Sequence, residues 1–553
     1  PGYKDLAAAI FFDFRAAFPS VAHWFLLYIL SIIGLPPEFV AAIKKLYTNN
    51  WHCIKIGGKI FIGPKMENGV RQGCPLSMII FALCLEPLLR LLEVYLSSGD
   101  VVGAFADDIG LVIQHLRCTL PKIRLIFEMF GKASGLDLNI SKCIVVPLGD
   151  NDQVCEQFKE MLATVAPKWA EFKVQGWAEY LGFMLGPDSV DKQWSSVIRK
   201  AYDTTRRWAN LHSGFFYNVL ACNVYILPLF GYVGQLAKPS KEVDKCIKDI
   251  MSSMFTGPGG WLPRYFLCSL SVFDFPCQVR CLSDCMFASK VRAANNLNLD
   301  MDVLSTELGL AINAFRTQKG TYHKHNVWHD NAFAINLMLA NRQCREQCIS
   351  TNFEFDNLVA QKKDKFLVQQ KRIMERISNQ HFPQRKAHLI ESLRKRMLRF
   401  QSRLKPLAPR HVAERAFERL NRLHKLVKPA VQVVYFRTLL NGWVTGRRMR
   451  TCNAVAMHNL PQCPLCGLAG LDSLEHIVLC PVTLETFRLM LVPIHNATEF
   501  FALDHSATDD KVLARRARAL AIVYTVYNTL SHHSPSSPPL SPYDLIRVAI
   551  RHR

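Results

Sequence analysis

Half of the 553 residues are hydrophobic, enough for a sizeable core, and this excludes a wholly disordered chain. The net charge of +22 and a pI near 9.4 point to a polyanionic partner. That charge is concentrated, because residues 361–450 hold 24 Lys and Arg against five Asp and Glu. Eighteen cysteines in so long a chain do not make a secreted disulfide scaffold, and the start reads as no signal peptide, so a reducing intracellular location is expected. The apolar runs VAHWFLLYILSIIGL and MIIFALCLEPLLRLL read as too short to span a bilayer, or as broken by His23, Glu86 and Arg90. No membrane partner is expected. The chain opens on Pro1-Gly2 without Met, directly before a strand-like run, and reads as a fragment of something longer.

In chain order, residues 6–14 (LAAAIFFDF) predict a buried strand ended by an acidic residue. A helical pattern follows over Val21–Leu46, broken at Gly34-Leu-Pro-Pro37. The next stretch predicts a hairpin turning at Gly57-Gly58, then a loop. Pro75–Tyr95 predicts a helix with proline in its first turn. VVGAFADDIGLVI predicts a buried hairpin with Asp107-Asp108 in its turn, Leu120–Ala133 a helix, and SGLDLNISKCIVVPL a turn and strand. Strands and helices mixed without a strict βαβ repeat point to an α+β layer. From Pro187 to Arg450 the periodicity is mainly helical, and SHHSPSSPPLSP (531–542) reads as a loop or linker.

Adjacent carboxylates inside an apolar run are costly unless something positive meets them; an unpaired buried charge costs several kcal/mol, roughly. Asp13 ends a strand and Asp107-Asp108 follow in a hairpin turn 94 residues later. On adjacent strands of one sheet they would repel and raise one another's pKa, and a hard divalent cation such as Mg²⁺ would reverse that. Three such carboxylates suffice for a two-metal phosphoryl-transfer site.

Five motifs surround them in order: FFDFRAAFPSV (11–21), GVRQGCPLSMIIFALCLEPLL (69–89), AFADDIGLVI (104–113), SGLDLNISKC (134–143) and AEYLGFMLG (178–186). Together they resemble motifs A to E of reverse transcriptases, with the non-LTR (LINE-like) retroelement enzymes the closest type. The likeness covers about residues 5–186, and NVYILPLFGYVGQLAKP (223–239) looks like the opening of that family's thumb. The resemblance implies an α+β right-hand polymerase palm at 1–186, lacking the fingers that precede motif A, and a helical thumb at 187–300. After these would come a basic helical nucleic-acid-binding region at 301–450, a zinc-binding segment at 451–485, and a helical tail with a Pro/Ser-rich loop at 486–553. It implies two Mg²⁺ ions on Asp13, Asp107 and Asp108, and an aromatic gate against a ribose 2′-OH at Phe18. Gln72 and Gly73 would lie beside the incoming nucleotide and template, Lys142 would be a general acid for the pyrophosphate leaving group, and Tyr180-Leu181-Gly182 a primer-grip hairpin. An RNA template, a DNA primer or target, dNTP and a nuclear location are implied in the same way. Pro19 departs from the family's usual AFD, outside the metal cluster, and tolerance is expected.

Cys463-x2-Cys466-x9-His476-x3-Cys480 has the donors and spacing of one closed, tetrahedral, structural Zn²⁺ site. Cys452 or His458 stands as an alternative donor. The lead-in FRTLLNGWVTGRRMRTC resembles the zinc-binding segment that follows the polymerase in LINE-like proteins. The basic block before it suits sequence-independent, salt-sensitive phosphate contacts. The competing reading is a retroelement-derived fragment that binds RNA or DNA without polymerising; a zinc-stabilised helical scaffold would explain only the second half.

Overall fold

The computed structural model describes residues 6–148, 152–189, 192–296, 337, 340, 366–401, 403–404, 407–449, 462–468, 472–504, 509–532 and 540–551. Cys452, His458, most of the expected basic region before residue 366 and the core of the Pro/Ser-rich loop lie outside them. Among the described residues the chain divides after Ser195 into two compact units.

The first unit is built on a five-stranded sheet of order β4-β5-β1-β6-β7. Its strands are β1 (Ala8–Phe12), β4 (Val101–Phe105), β5 (Asp108–Ile113), β6 (Ile144–Pro147) and β7 (Lys173–Val174). β1 pairs antiparallel with β5 and β6, β4 antiparallel with β5, and only β6–β7 is parallel. Side chains alternate across a strand. Accordingly Ala8, Ile10 and Phe12 of β1 and Ile109, Leu111 and Ile113 of β5 face the core, while Phe11, Asp13, Asp108, Gly110 and Val112 fall on the opposite face.

The helices α4 (Pro75–Tyr95) and α5 (Leu116–Ser134) cover the core face. Phe81, Leu85 and Leu88 come from α4, and Ile123 and Phe127 from α5. Phe12 stacks on Phe127 with ring centroids 4.4 Å apart and meets Trp169 edge-on at 5.7 Å. Truncating such a ring costs about 3–5 kcal/mol. α1 (Ala17–Ser20), α2 (His23–Ile32) and α3 (Pro37–Tyr47) follow β1, with the break between α2 and α3 at Gly34-Leu-Pro-Pro37. β2 (Trp51–Ile56) and β3 (Lys59–Lys65) form an exposed hairpin turning through Gly57 and Gly58, both at positive φ. α6 (Asp152–Val165) precedes β7, and β8 (Ala178–Tyr180) and β9 (Phe183–Leu185) make a further hairpin.

Two expectations need correction. The β4–β5 hairpin is not buried: β4 is the exposed edge of the sheet and β5 is buried on one face only. Its apolar run misleads because Val101, Phe105 and Val112 point away from the core yet are as hydrophobic as the residues that fill it. Secondly, α4 and the segment Phe215–Gly234 are long and apolar enough to cross a membrane by length and composition. α4 nonetheless lends one face to the core and carries a Glu86–Arg90 ion pair at 2.8 Å outside it.

The second unit is helical throughout its described residues. The long helix Phe366–Gln401 packs on Pro409–Leu426, which packs in turn on Pro429–Leu439 and Asp510–Ser531. Its largest fully buried side chains include Trp443, Arg516, Tyr435, Tyr527 and Phe436. Arg516 is held by Pro493 O at 2.5 Å and lies 3.8 Å from Glu499.

Candidate active site and metal centres

Sheet register assembles the carboxylates. Phe12 pairs with Ile109, so one step further the strands set Asp13 opposite Asp108, on the face turned away from the core. Phe105 pairs with Asp108, leaving Ala106 and Asp107 as a two-residue turn, with Ala106 at a φ of 53°. A non-glycine residue in that region is a strained turn position, and here it presents the adjacent acids at the hairpin tip. Burial first, then the charges of Asp107 and Asp13, push Asp108 above the ordinary carboxylate range. The Asp13 Oδ2 atom is buried and accepts no hydrogen bond. Its nearest cation is Lys142, with Nζ at 3.7 Å.

Lys142 reaches that position through its turn. Asn139 N donates to Asp13 O at 2.7 Å, Lys142 N to Asn139 O at 2.9 Å, and Asp13 N to Cys143 Sγ at 3.5 Å. Motif D is thus tied to the end of β1 by backbone bonds and by the Cys143 side chain. Asn139 and Cys143 are tethering positions that the sequence reading missed. Nothing in their residue types signals a tether.

Motif B is tied to motif A in a similar way. Val70 N donates to Phe18 O at 2.8 Å, Gly69 N to Val21 O at 2.7 Å, and His23 Nε2 lies 2.9 Å from Gly69 O. A Cβ at Gly69 would fall 2.6 Å from Pro19 O, so only glycine permits this approach. Phe18 lies over Phe81 of α4, centroids 4.5 Å apart and nearly parallel, and is half-buried. Gln72 and Gly73 are exposed on the loop before α4, Gly73 at a φ of 88°.

The β8–β9 hairpin turns through Leu181 and Gly182, with φ of 49° and 79°, the mirror-image turn that matches strand twist. Tyr180 lies across the open face of the sheet. Its ring is 5.2 Å from that of Phe11, its hydroxyl donates to Gly103 O at 3.3 Å, and Gly103 and Gly110 leave room beneath it. Burial and then the charge of Asp108 raise its phenol. Asp13, Asp108, Phe11 and Tyr180 therefore share one face.

The register thus gathers these carboxylates on strand ends beside a glycine-bordered loop. Residues 4–185 match the family model described as reverse transcriptase (RNA-dependent DNA polymerase). Residues 4–185 form a reverse transcriptase domain. It is 34% identical over 138 residues to a transposon TX1 uncharacterized 149 kDa protein of Xenopus laevis. It is 30% identical over 152 residues to a Pol polyprotein from the type-2 retrotransposable element R2DM of Drosophila melanogaster. These matches cover 24% and 26% of this chain and 10% and 14% of the relatives, so the chain spans a small part of their length. A telomerase structure from Candida albicans, in complex with a fragment of telomeric RNA, matches at 11% identity with a TM-score of 0.25. That match covers 57% of this chain and 49% of the telomerase chain, and at that score it carries no argument.

The reverse transcriptase family uses a divalent metal, typically Mg²⁺. The residues present fit one: a buried carboxylate oxygen without a donor, and a neighbouring acid whose pKa is raised by burial first and then by the other two acids. In the second unit, Cys463, Cys466, His476 and Cys480 bring their donor atoms within 4.8 Å of one another. Among the described residues this is the one preassembled set of three or more Cys, His or acidic donors. Cys466 Sγ and His476 Nε2 are 3.1 Å apart. His476 lies in the helix Leu474–Leu479, capped by Ser473, and Cys480 follows it in extended conformation rather than on the same helical turn. Burial lowers the pKa of His476, favouring the neutral imidazole that ligates metal. The Cys463 thiol, and then the backbone around Val482 and Thr483, lower Cys480 against its own burial. The same contact, and then burial, push the Cys463 thiol up, so His476 and Cys480 lean toward the metal-binding form and Cys463 does not.

Proposed function

We propose that the chain catalyses RNA-directed DNA synthesis as the polymerase part of a LINE-like retroelement protein, extending a primer 3′-OH with dNTP on an RNA template. The observation that carries this is the register that sets Asp13 against Asp108, beside Asp107, on the open face of the sheet. Bound by these three carboxylates, a pair of Mg²⁺ ions would activate the attacking oxygen and offset charge on the leaving one. A bond forms from the primer 3′-oxygen to the α-phosphorus of the dNTP as the bond to pyrophosphate breaks.

The chain's own residues do the rest. Lys142, already beside Asp13, supplies a proton to the departing pyrophosphate. Phe18, held by Phe81, presents a ring against a ribose 2′-OH. Gln72 and Gly73 border the nucleotide and template from the loop before α4. Tyr180, Leu181 and Gly182 support the primer end over the sheet face. In the second unit, Cys463, Cys466, His476 and Cys480 hold one structural Zn²⁺, and the arginine- and lysine-rich helices bind nucleic acid. The residues from Ser196 to Asn296 serve as the thumb. The protein acts in the nucleus. The non-polymerising alternative has no observation in its favour.

Primer extension on an RNA template with dNTP and Mg²⁺ tests this. The parent is expected to extend and the Asp107→Asn/Asp108→Asn variant to lose activity by roughly 10³-fold, in keeping with removal of preorganised charge stabilisation. Equal extension by both would overturn the assignment of the site.

A further inference from the structure

Within the second unit, five guanidinium groups surround one pocket of about 200 Å³: Arg396, Arg399, Arg403, Arg447 and Arg448, opposed by the single carboxylate of Glu475. Arg396 and Arg399 lie one turn apart near the end of the helix Phe366–Gln401, and Arg403 follows just beyond it, its N–H donating to Phe400 O at 3.0 Å. The other two come from the short helix Gly446–Met449. That helix is fastened to the Cys/His segment through Asp472, which accepts from Gly446 N at 2.5 Å and, through its carbonyl, from Arg447 N at 2.9 Å. The Tyr527 hydroxyl donates to the same carboxylate at 2.8 Å.

The charges are not balanced from within. Glu475 is shared between Arg403 at 2.9 Å and Arg447 at 3.5 Å. Arg396 donates to Leu440 O, a neutral carbonyl that offsets desolvation but not charge. Arg399 is exposed and has no carboxylate partner among the described residues. Burial, and after it the charges of Arg448 and Arg399, push Arg396 down to about 10. Like charges gathered this closely attract an anion.

The pocket's size and lining indicate which anion. Small-molecule sites run from about 300 to 1,000 Å³ and offer apolar faces. This pocket is smaller, and its one aromatic residue, Phe400, is buried against Phe501 at 5.5 Å and cannot receive a base. Guanidinium forks match phosphate oxygens in pairs. We propose that this pocket binds the phosphodiester backbone of a nucleic-acid strand, one or two phosphates deep, with Glu475 yielding its arginines to the strand. This deepens the nucleic-acid-binding part of the function proposed above and is independent of the carboxylate site.

The test is equilibrium binding of a fluorescein-labelled oligouridylate to the full chain across a salt series, read by anisotropy. Arg399→Gln/Arg403→Gln is expected to weaken binding by about 10-fold and to flatten the salt slope by about 0.7 for each phosphate no longer neutralised. Lys44→Gln/Lys45→Gln removes the same charge from exposed positions on α3, outside the basic helices, and is expected to change affinity less than about 3-fold. Glu475→Gln is expected to tighten binding, and by more than Glu414→Gln, a gain that a misfolded variant does not produce. Equal losses in the two double variants, or no gain from Glu475→Gln, would overturn the proposal. So would inorganic pyrophosphate binding that the pocket variants abolish while RNA binding stays intact, since the pocket would then belong to a free phosphate compound. Binding is read without catalysis, so failed primer extension leaves this result standing, and a failed pocket leaves the polymerase reading standing.

Discussion

The three carboxylates of the first unit and the four sulfur and nitrogen donors of the second are assembled in opposite ways. Asp13 and Asp107-Asp108 stand 94 residues apart in sequence and meet only because β1 and β5 pair in a particular register. A slip of one residue would turn Asp13 or Asp108 into the core. The four donors of the other set lie within 18 residues, carried by a short turn and a capped six-residue helix. Their physics differs as well. Like-charged carboxylates repel, and Asp108 has a pKa raised by burial first and then by the other two. Thiols and a neutral imidazole do not repel, and they already lie within 4.8 Å of one another. The carboxylates are left electrostatically unsatisfied and open; the thiols and imidazole are brought together in advance.

That contrast breaks most visibly at the Cys/His set. Cys480→Ser is expected to remove one equivalent of zinc, measured by a chromogenic chelator, and to lower or abolish the melting transition of the second unit. Structural zinc contributes about 10–16 kcal/mol of apparent binding energy in small domains. The transition of the reverse transcriptase domain is expected to persist. Simultaneous loss of both transitions would show that the donors do not staple the second unit alone. Next in size is Phe18→Ala, expected to raise ribonucleotide incorporation relative to deoxyribonucleotide by about 10- to 100-fold, as loss of a steric barrier to one hydroxyl allows. Competing-substrate extension measures this ratio. An unchanged ratio together with a lower melting temperature would leave Phe18 as a packing partner of Phe81.

The reverse transcriptase domain was legible because its information is local and ordered. Five motifs named the strands, helices and acids, and Pro75–Tyr95 and the Gly57-Gly58 turn fall where proline and glycine chemistry put them. The exposed side of β4 was not legible, because a strand's apolar residues do not say which sheet face is covered. Nor were the tethers through Gly69, Asn139 and Cys143, which depend on how distant segments approach and act largely through main-chain atoms. The arginine pocket fell between these cases. The charge block was plain in the sequence, but its convergence with Glu475 required the helix Phe366–Gln401 and the turn at Gly446 to meet.

The smallest effect tests the electrostatic half of the comparison. Asp108 has a folded-state pKa above its ordinary value, from burial first and then from Asp107 and Asp13. For an acid shifted this way the folded state binds more protons than the unfolded one between the two values, so stability falls as pH rises through that window. The penalty is complete above the folded pKa and absent below the unfolded one, opposite to a salt-bridged aspartate. In chelator, the denaturation midpoint of the reverse transcriptase domain is expected to carry a component that declines from about pH 4 toward neutrality, and Asp108→Asn is expected to remove it. Adding Mg²⁺ at neutral pH is expected to restore the parent's stability by binding only the folded form, and to leave the Asp107→Asn/Asp108→Asn variant unchanged. A parent and variant that respond identically to both pH and Mg²⁺ would mean that the three acids do not share a field, and the register that sets Asp13 against Asp108 would then not be a metal site.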